Sequence, residues 1–97
     1  MARVIHSAEA LADLERIIEH LLEHAPQAAP GAIKRIRGAI EILEGHPEIG
    51  RRVDPDRREL VISRAATGYL ALYRYDPEQD LVRVLRIRHQ REAGYRG

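Results

Sequence analysis

Residues 58–88 read RELVISRAATGYLALYRYDPEQDLVRVLRIR, and this stretch decides the fold of the 97-residue chain. It holds three apolar runs rich in β-branched and aromatic residues, at 59–63, 69–75 and 81–87. The segments between the runs contain glycine or Asp-Pro, which are typical of turns. Strands joined by about five residues pair antiparallel, because a parallel pair needs a crossover of about a dozen residues or more. The stretch therefore predicts a three-stranded antiparallel meander.

Two amphipathic helices are predicted before the meander, because apolar residues recur there at helical spacing. The first covers about residues 8–24, with Ser7 as its N-cap. The second covers about residues 28–44 and ends at Gly45. The predicted apolar stripes are Leu11, Leu14, Ile18, Leu21 and Leu22 in the first helix, with Asp13 mostly off the stripe, and Ile33, Ile36, Ile40 and Leu43 in the second.

A helical hairpin with one joint apolar face needs a cover, which a sheet can supply. Residues 2–6 are typical of an edge strand or a lead-in, and residues 46–56 of a loop. We therefore predict a single α+β domain over residues 1–97, in the order β-α-α-β-β-β. The helical hairpin is expected to pack on one face of a small antiparallel sheet, with Leu85 in the core of a central strand.

Composition and charge narrow the possible functions. The chain has no cysteine, which excludes disulfides, thiolate catalysis and cysteine-zinc sites. No apolar run is long enough for a membrane span and no signal-peptide pattern is present, so a cytoplasmic protein without membrane contact is predicted. Residues 1–50 hold five basic and eight acidic side chains, and residues 51–97 hold eleven and seven. The positive charge therefore belongs to the sheet half, where it suits a local anionic contact.

One motif suggests a metal site. His20 and His24 fit the pattern H-x-x-E-H, which in some metalloproteases binds zinc from a helix. Helical rotation places both histidines away from the apolar stripe, and such enzymes need a third ligand and a much larger domain. We therefore predict no metal and no cofactor.

A cluster of basic, histidine and tyrosine residues follows the first and last meander strands. Histidine can transfer a proton near neutral pH, arginine can hold a phosphate, and tyrosine can stack on a base or donate a proton. Such a set could cut RNA or dock on an acidic surface, and it could equally be a solvated tail. The candidate residues are Arg64, Arg86, Arg88, His89, Arg91 and Tyr95.

Four short patterns follow one another in the chain, and together they point to a family. They are Leu43-x-x-x-Pro47-x-x-Gly50, Arg58-Glu59-Leu60, Tyr69-x-x-x-Tyr73 and Val84-Leu85-x-Ile87-x-His89-x-Arg91. In this order, with the predicted elements, they resemble the ParE/RelE superfamily of type II toxins from Val4 to about Tyr95. The resemblance implies a toxin of a toxin–antitoxin operon that is neutralised by a cognate antitoxin in a hetero-oligomer.

The resemblance also bears on the target. RelE-like members bind the ribosome and cleave mRNA with basic residues at positions that correspond here to Leu60, Ile62 and Leu70. ParE-like members lack that set and inhibit DNA gyrase by binding. The departures predict a ParE-like gyrase inhibitor in which the six candidate residues bind the target and none is catalytic. The alternatives are a ribosome-dependent endoribonuclease with Arg64, Arg86, His89 and Tyr95 as catalytic residues, and a non-toxic interaction module.

Overall fold

The computed structural model describes residues 1–62, 68–92 and 94–95. Within this part, the chain forms two long helices and five strands. A short 3-10 turn, Pro26–Ala28, joins the helices. The elements are β1 (Arg3–His6), α1 (Ala8–His24), α2 (Ala29–Gly45), β2 (Arg51–Arg52), β3 (Arg58–Ile62), β4 (Tyr69–Asp76) and β5 (Leu81–His89).

The sheet has the strand order β1-β5-β4-β3-β2. The predicted antiparallel meander of β3, β4 and β5 is confirmed. The prediction that the whole sheet is antiparallel was wrong, because β1 pairs in parallel with β5, with Arg3 opposite Leu81 and His6 opposite Val84. A short loop requires antiparallel pairing only between strands that follow each other in the chain. Most of the chain lies between β1 and β5, so they can pair in parallel. The predicted loop 46–56 also contains β2, which extends the sheet by two residues opposite Glu59 and Arg58.

The first helix has the predicted bounds and the predicted cap. The Ser7 hydroxyl accepts a hydrogen bond from the Ala10 N–H at 3.0 Å and donates one to the Leu85 carbonyl at 2.7 Å. The same side chain therefore starts α1 and fixes its first turn to β5. The second helix begins at Ala29, and Pro30 lies in its first turn, where the missing N–H costs no helical hydrogen bond.

The buried face of α1 is rotated by about one residue from the predicted stripe. Ala10, Asp13 and Ile17 are buried, whereas Leu11 and Leu22 are 55% and 56% exposed. The prediction used only the spacing of apolar residues, whereas Asp13 is buried because it binds residues of β5. In α2, Ile36 and Leu43 are buried as predicted, and Ile33 and Ile40 are half-buried.

A β-bulge in β5 reverses which residues face the helices. Tyr73 lies opposite Val84 and Leu72 lies opposite Arg86, so Leu85 is the extra residue between them. Val84 before the bulge and Ile87 after it are both fully buried in the core. Leu85 is only half-buried, so the prediction that it is a core residue was wrong.

Gly50, in the loop before β2, packs against a buried tyrosine. Its N–H donates a 2.8 Å hydrogen bond to the Tyr73 hydroxyl. A Cβ at this position would lie 2.6 Å from a Tyr73 ring carbon and 2.9 Å from the Glu59 carbonyl oxygen. Only glycine fits without a shift of the neighbouring atoms. The contact anchors the loop and so positions β2 beside β3.

Candidate interaction site

The predicted site residues at the end of β5 lie on both faces of the sheet. Arg86 and Arg88 lie opposite Leu72 and Leu70 of β4, whereas His89 lies opposite Tyr69. Neighbouring residues in a strand point to opposite faces. His89 is therefore on the face that carries the helices, and the two arginines are on the outer face.

Arg86 is held by an ion pair to α1. Its Nε and one terminal nitrogen donate to the Asp13 carboxylate at 2.8 and 3.0 Å, and the Ile87 N–H donates to the same group at 2.9 Å. Asp13 is only 4% exposed. Burial alone would raise the pKa of Asp13, but the hydrogen bonds from Arg86 and Ile87 outweigh it and hold that pKa below its usual value. The carboxylate therefore joins α1 to the edge of β5 beyond the end of β1.

Tyr95 lies across the outer face of the sheet and covers its arginines. The Arg88 and Arg86 guanidinium carbons are 5.2 and 5.7 Å from the centre of the Tyr95 ring. The Tyr95 hydroxyl donates a 2.8 Å hydrogen bond to Oε2 of Glu59, and Arg88 donates to the Glu92 carbonyl at 2.7 Å. These contacts hold the segment after β5 against the sheet.

Glu59 is the buried acidic group under this segment. It is 5% exposed, and its other carboxylate oxygen accepts a 2.7 Å hydrogen bond from Arg51 of β2. Burial would raise the pKa of Glu59, but the hydrogen bonds from Tyr95 and Arg51 lower it overall. Burial and the bond to Glu59 also raise the pKa of the Tyr95 phenol, which therefore stays protonated. A phenol held in this way is a structural donor.

On the helix side, a cleft of about 550 Å³ separates α1 and the start of α2 from the ends of the meander strands. His89 packs edge-on against the Tyr69 ring, with 5.3 Å between ring centres. Its Nδ1 accepts a 3.0 Å hydrogen bond from the Arg91 N–H. Burial, and then the charge of Arg91, lowers the pKa of His89. His89 is therefore neutral near pH 7, with Nε2 carrying the proton.

Two further arginines lie on the outer face. Arg74 and Arg83 are direct cross-strand neighbours on β4 and β5, and both side chains are exposed. Within the described part of the chain, neither has an acidic partner. Like charges opposite each other destabilise a sheet. This pair therefore leaves positive charge on the surface beside Arg86.

The five predicted residues that the structure describes do not meet at one centre. Arg86, Arg88 and Tyr95 interact on the outer face, while His89 and the exposed Arg91 line the cleft on the other face. Arg64 lies outside the described residues. Acid–base catalysis needs its groups within hydrogen-bond reach of one substrate. His89 and Tyr95 lie on opposite faces of the sheet, whereas such catalysis would need both at one substrate atom.

Several residues that shape this region were not among the sequence candidates. They are Asp13, Arg35, Glu59 and Tyr69. Asp13 had a sequence signal, because it lies between Ala12 and Leu14 in a helix and a buried carboxylate needs a cationic partner. Glu59 follows Arg57 and Arg58, so its burial had no such signal. No local pattern marked Arg35, which reaches the cleft only through the packing of α2.

The remaining motif, His20 with His24, is exposed as predicted. The two rings stack with their centres 4.3 Å apart. Among residues 1–62, 68–92 and 94–95, no three side chains of the metal-ligand type come together. In the same part of the chain, no helix has the length and apolar character required to cross a bilayer.

Comparison with known proteins places this geometry in a family. The model of the ParE toxin of the type II toxin–antitoxin system parDE matches residues 4–94. The toxin RelE3 of Caulobacter vibrioides is 42% identical over 80 residues, covering 82% of this chain and 85% of the relative. The toxin RelE2 of the same organism is 36% identical over 89 residues, covering 92% and 96%.

Solved structures agree with the sequence matches. A chain from the chromosomal ParDE system of P. aeruginosa superposes with a TM-score of 0.74 at 25% identity and covers 92% of this chain and 96% of its own. The isolated E. coli RelE toxin has the same fold, with a TM-score of 0.66 at 14% identity and coverage of 96% and 88%. The chain therefore belongs to the ParE/RelE superfamily of type II toxin–antitoxin toxins.

Proposed function

We propose that this toxin inhibits DNA gyrase by binding, and that a cognate antitoxin neutralises it. The observation that carries the proposal is the separation of the candidate catalytic residues. Tyr95 is bound by Glu59 on the outer face and Arg86 by Asp13 of α1 at the edge of β5, while His89 lies on the helix face. A nuclease must bring such groups to one phosphate. The match to the ParE family model supports the same function.

The positions of the missing basic residues also support binding. Ile62 and Leu70 are buried and Leu60 is half-buried, so these side chains contribute to packing. A prepositioned donor at a scissile group is typically worth about 10²–10³ in rate. An apolar side chain at those positions supplies none of that stabilisation.

Target recognition is proposed to use the exposed arginines. Arg74 and Arg83 are exposed on the outer face, and a basic surface of this kind suits gyrase or its DNA complex. Arg91 is exposed on the other face, at the cleft. Arg86, Arg88 and Tyr95 of the predicted target-binding set hold this surface in place through their internal contacts. His89 and Arg64 complete that set, with Arg64 a prediction from the sequence alone.

Reversing the charge at Arg83 is expected to weaken gyrase inhibition by about tenfold or more. A carboxylate at position 83 would face Arg74, so the stability of the fold is expected to stay the same or rise by up to about 1 kcal/mol. Supercoiling of relaxed plasmid by purified gyrase, measured over a series of toxin concentrations, gives the inhibition. Thermal melting gives the stability.

His89→Gln is the matched test of mechanism. Glutamine can still donate a hydrogen bond but cannot act as an acid at neutral pH, so this variant is expected to retain most of the inhibition. If Arg83→Glu inhibits gyrase as well as the wild type does, the surface assignment is wrong. If the wild type leaves gyrase untouched, the proposed target is wrong.

A second candidate function is ribosome-dependent cleavage of mRNA. The names of the curated relatives favour it, since those at 42% and 36% identity are RelE toxins. Primer extension on translated messages tests it directly. Cleavage by the wild type that is lost in His89→Gln would establish this function in place of gyrase inhibition.

The proposed antitoxin site is the groove between the two helices. This groove has a volume of about 320 Å³, and Leu14, Ile18 and Ile40 are among its apolar lining residues. An uncovered apolar groove is typical of a partner site, and helices often bind in such grooves. The ParDE and RelBE structures that this fold resembles are toxin–antitoxin systems.

Ile18→Glu is expected to weaken antitoxin binding by at least about thirtyfold, the loss typical of a central interface residue. Leu22→Glu is the matched control, because Leu22 is 56% exposed and does not line the groove. Titration calorimetry with the antitoxin encoded beside the toxin gives both affinities. Wild-type toxin should also gain about 2.7 kcal/mol of apparent stability at antitoxin concentrations a hundredfold above Kd. Equal affinities for the two variants would place the antitoxin elsewhere.

A further inference from the structure

The groove between the two helices has an uneven distribution of charge along its rim. Most of its lining is apolar, and its polar lining residues include His6 of β1 and Arg37, Glu41 and Glu44 of α2. Glu41 and Glu44 lie at the C-terminal end of α2. The Ala2 N–H donates a 2.9 Å hydrogen bond to the Glu44 carbonyl, so this end of the groove lies beside the start of β1.

The two carboxylates at this end are not neutralised within the described part of the chain. Neither Glu41 nor Glu44 forms an ion pair there, and Arg37 forms none with them. Burial lowers the pKa of His6, so its imidazole is neutral near pH 7 and adds no positive charge. The last turn of α2 also contains no basic residue. Two negative charges and one positive charge therefore lie along the rim at the negative end of the helix dipole.

This distribution of charge is unfavourable for the toxin alone. The dipole of α2 repels carboxylates near its C-terminus, and like charges three residues apart on a helix repel each other. Proteins break such local rules chiefly at functional sites. A lysine or arginine of a bound partner would remove both repulsions. Because the carboxylates lie on the rim of an open apolar groove, they indicate a partner with a basic side chain at this end.

The lining of the groove indicates the form of the partner. Apolar side chains line it along both helices, from Leu14 to Leu21 on α1 and from Ile33 to Ile40 on α2. Such a groove suits the apolar stripe of an amphipathic helix, whose buried residues recur every three or four positions. A residue three or four positions beyond the last buried one lies on the same face of that helix. This is the position from which a basic side chain would reach the acidic rim.

We propose that the antitoxin binds this groove with an amphipathic helix that carries a lysine or arginine at one end of its apolar stripe, and that this side chain pairs with Glu41 and Glu44. The inference rests on the proposed antitoxin site and adds the charge of the residue that the site recognises. An antitoxin with an acidic residue at the same position would be repelled by both carboxylates. The rim therefore selects among antitoxins whose apolar stripes are alike.

The test uses the toxin variant Glu41→Gln/Glu44→Gln and the antitoxin encoded beside the toxin. Titration calorimetry is expected to show binding weakened by about tenfold or more, the loss typical of a charge-assisted hydrogen bond. Added salt should reduce the difference from the wild type, because it screens the charges. The free variant is expected to melt at the wild-type temperature or above it, since the repulsion at the end of α2 is removed. A purely structural role would instead lower the melting temperature.

Two controls separate this contact from a general charge effect. Glu15→Gln removes an exposed carboxylate of α1 that does not line the groove, and it is expected to leave the affinity unchanged. The second control reverses the charges on both sides. Replacing the basic residue of the antitoxin helix with glutamate should weaken binding to the wild type, and Glu41→Lys/Glu44→Lys in the toxin should restore part of the lost affinity.

The possible results distinguish this inference from the proposed antitoxin site itself. If Ile18→Glu weakens binding while Glu41→Gln/Glu44→Gln binds as tightly as the wild type, the groove is the antitoxin site but the basic contact is wrong. If neither variant weakens binding, the antitoxin binds elsewhere and both proposals fail. Equal weakening by Glu15→Gln would reduce the contact to a general charge effect. An antitoxin helix that binds the groove without a basic residue at its end would also overturn the inference.

Discussion

Replacing Asp13 with Ala is expected to lower the free energy of unfolding by about 3–5 kcal/mol. The change leaves the Arg86 guanidinium beside the core without its carboxylate, and it removes the acceptor of the Ile87 N–H. A chain of this length has a total stability of about 5–15 kcal/mol, so much of the protein would unfold under mild conditions. Urea unfolding followed by circular dichroism measures the loss.

Glu15→Ala is the matched control, because it removes an exposed carboxylate from the same helix. Its effect is expected to stay within about 0.5 kcal/mol. Adding Arg86→Ala to Asp13→Ala should cost little more, since the pair is already broken. A loss below about 1 kcal/mol for Asp13→Ala would mean that the ion pair contributes little beyond its desolvation cost.

The Asp13 carboxylate also makes the stability of the fold depend on pH in the acid range. Its folded pKa is lowered, so Asp13 contributes stability at pH values above the ordinary carboxyl pKa of about 3.9. That contribution is lost as the pH falls through the lower folded pKa. The Asp13→Asn variant should therefore lose less stability than the wild type as the pH falls into the acid range. Near pH 7 the variant should be less stable than the wild type.

Ile87→Ala is expected to cost about 2–5 kcal/mol, because it leaves a cavity in a fully buried part of the core. Ile87 lies opposite Ala71 on the helix face of the sheet, so the residue directly across from it on β4 is too small to fill the space. Chemical denaturation with urea gives the loss. An unchanged slope with denaturant would show that only the native state is affected.

Leu85→Ala tests whether the bulge is placed correctly. Leu85 is half-buried, and its bond from Ser7 is to the backbone carbonyl, which the substitution keeps. The expected loss is about 1 kcal/mol, roughly half the value of a fully buried leucine side chain. If Leu85→Ala costs as much as Ile87→Ala, then Leu85 faces the core and the register change lies elsewhere.

The long periodic segments could be predicted from the sequence. The bounds of α1 agree residue for residue, and β3, β4 and β5 end within two residues of their predicted ends. Helical and strand periodicity extends over many residues there, and turn residues mark the ends. The two-residue β2 has too few residues for any period, so its pairing could not be predicted.

The remaining errors share a physical cause, because each depends on a contact between distant residues. The bulge at Leu85 shifts the strand phase, and nothing in the local sequence marks where the extra residue falls. Asp13 is buried because its carboxylate accepts hydrogen bonds from Arg86 and Ile87, which lie 73 and 74 residues further along the sequence. Periodicity treats each element alone, so it placed Asp13 on the surface and Leu11 in the core.

The candidate site was predicted in composition but not in arrangement. Arg86, Arg88, His89 and Tyr95 do lie around the end of β5, as their sequence positions indicated. Strand alternation should have placed Arg88 and His89 on opposite faces, and this was the signal that the sequence offered. The cleft residues Arg35 and Tyr69 meet only in the folded chain, since α2 and β4 contribute one each.

The parallel pairing of β1 with β5 also limits when the fold can be completed. Ser7 reaches its partner, the Leu85 carbonyl, across 78 residues of chain. During synthesis the helical hairpin can form from local contacts, whereas β1 has no strand to pair with until the last strand has emerged from the ribosome. The outer arginine surface and the helix-side cleft at the end of β5 therefore form only after β5 has been synthesised. A translation product cut short before Leu81 lacks both the surface and the cleft.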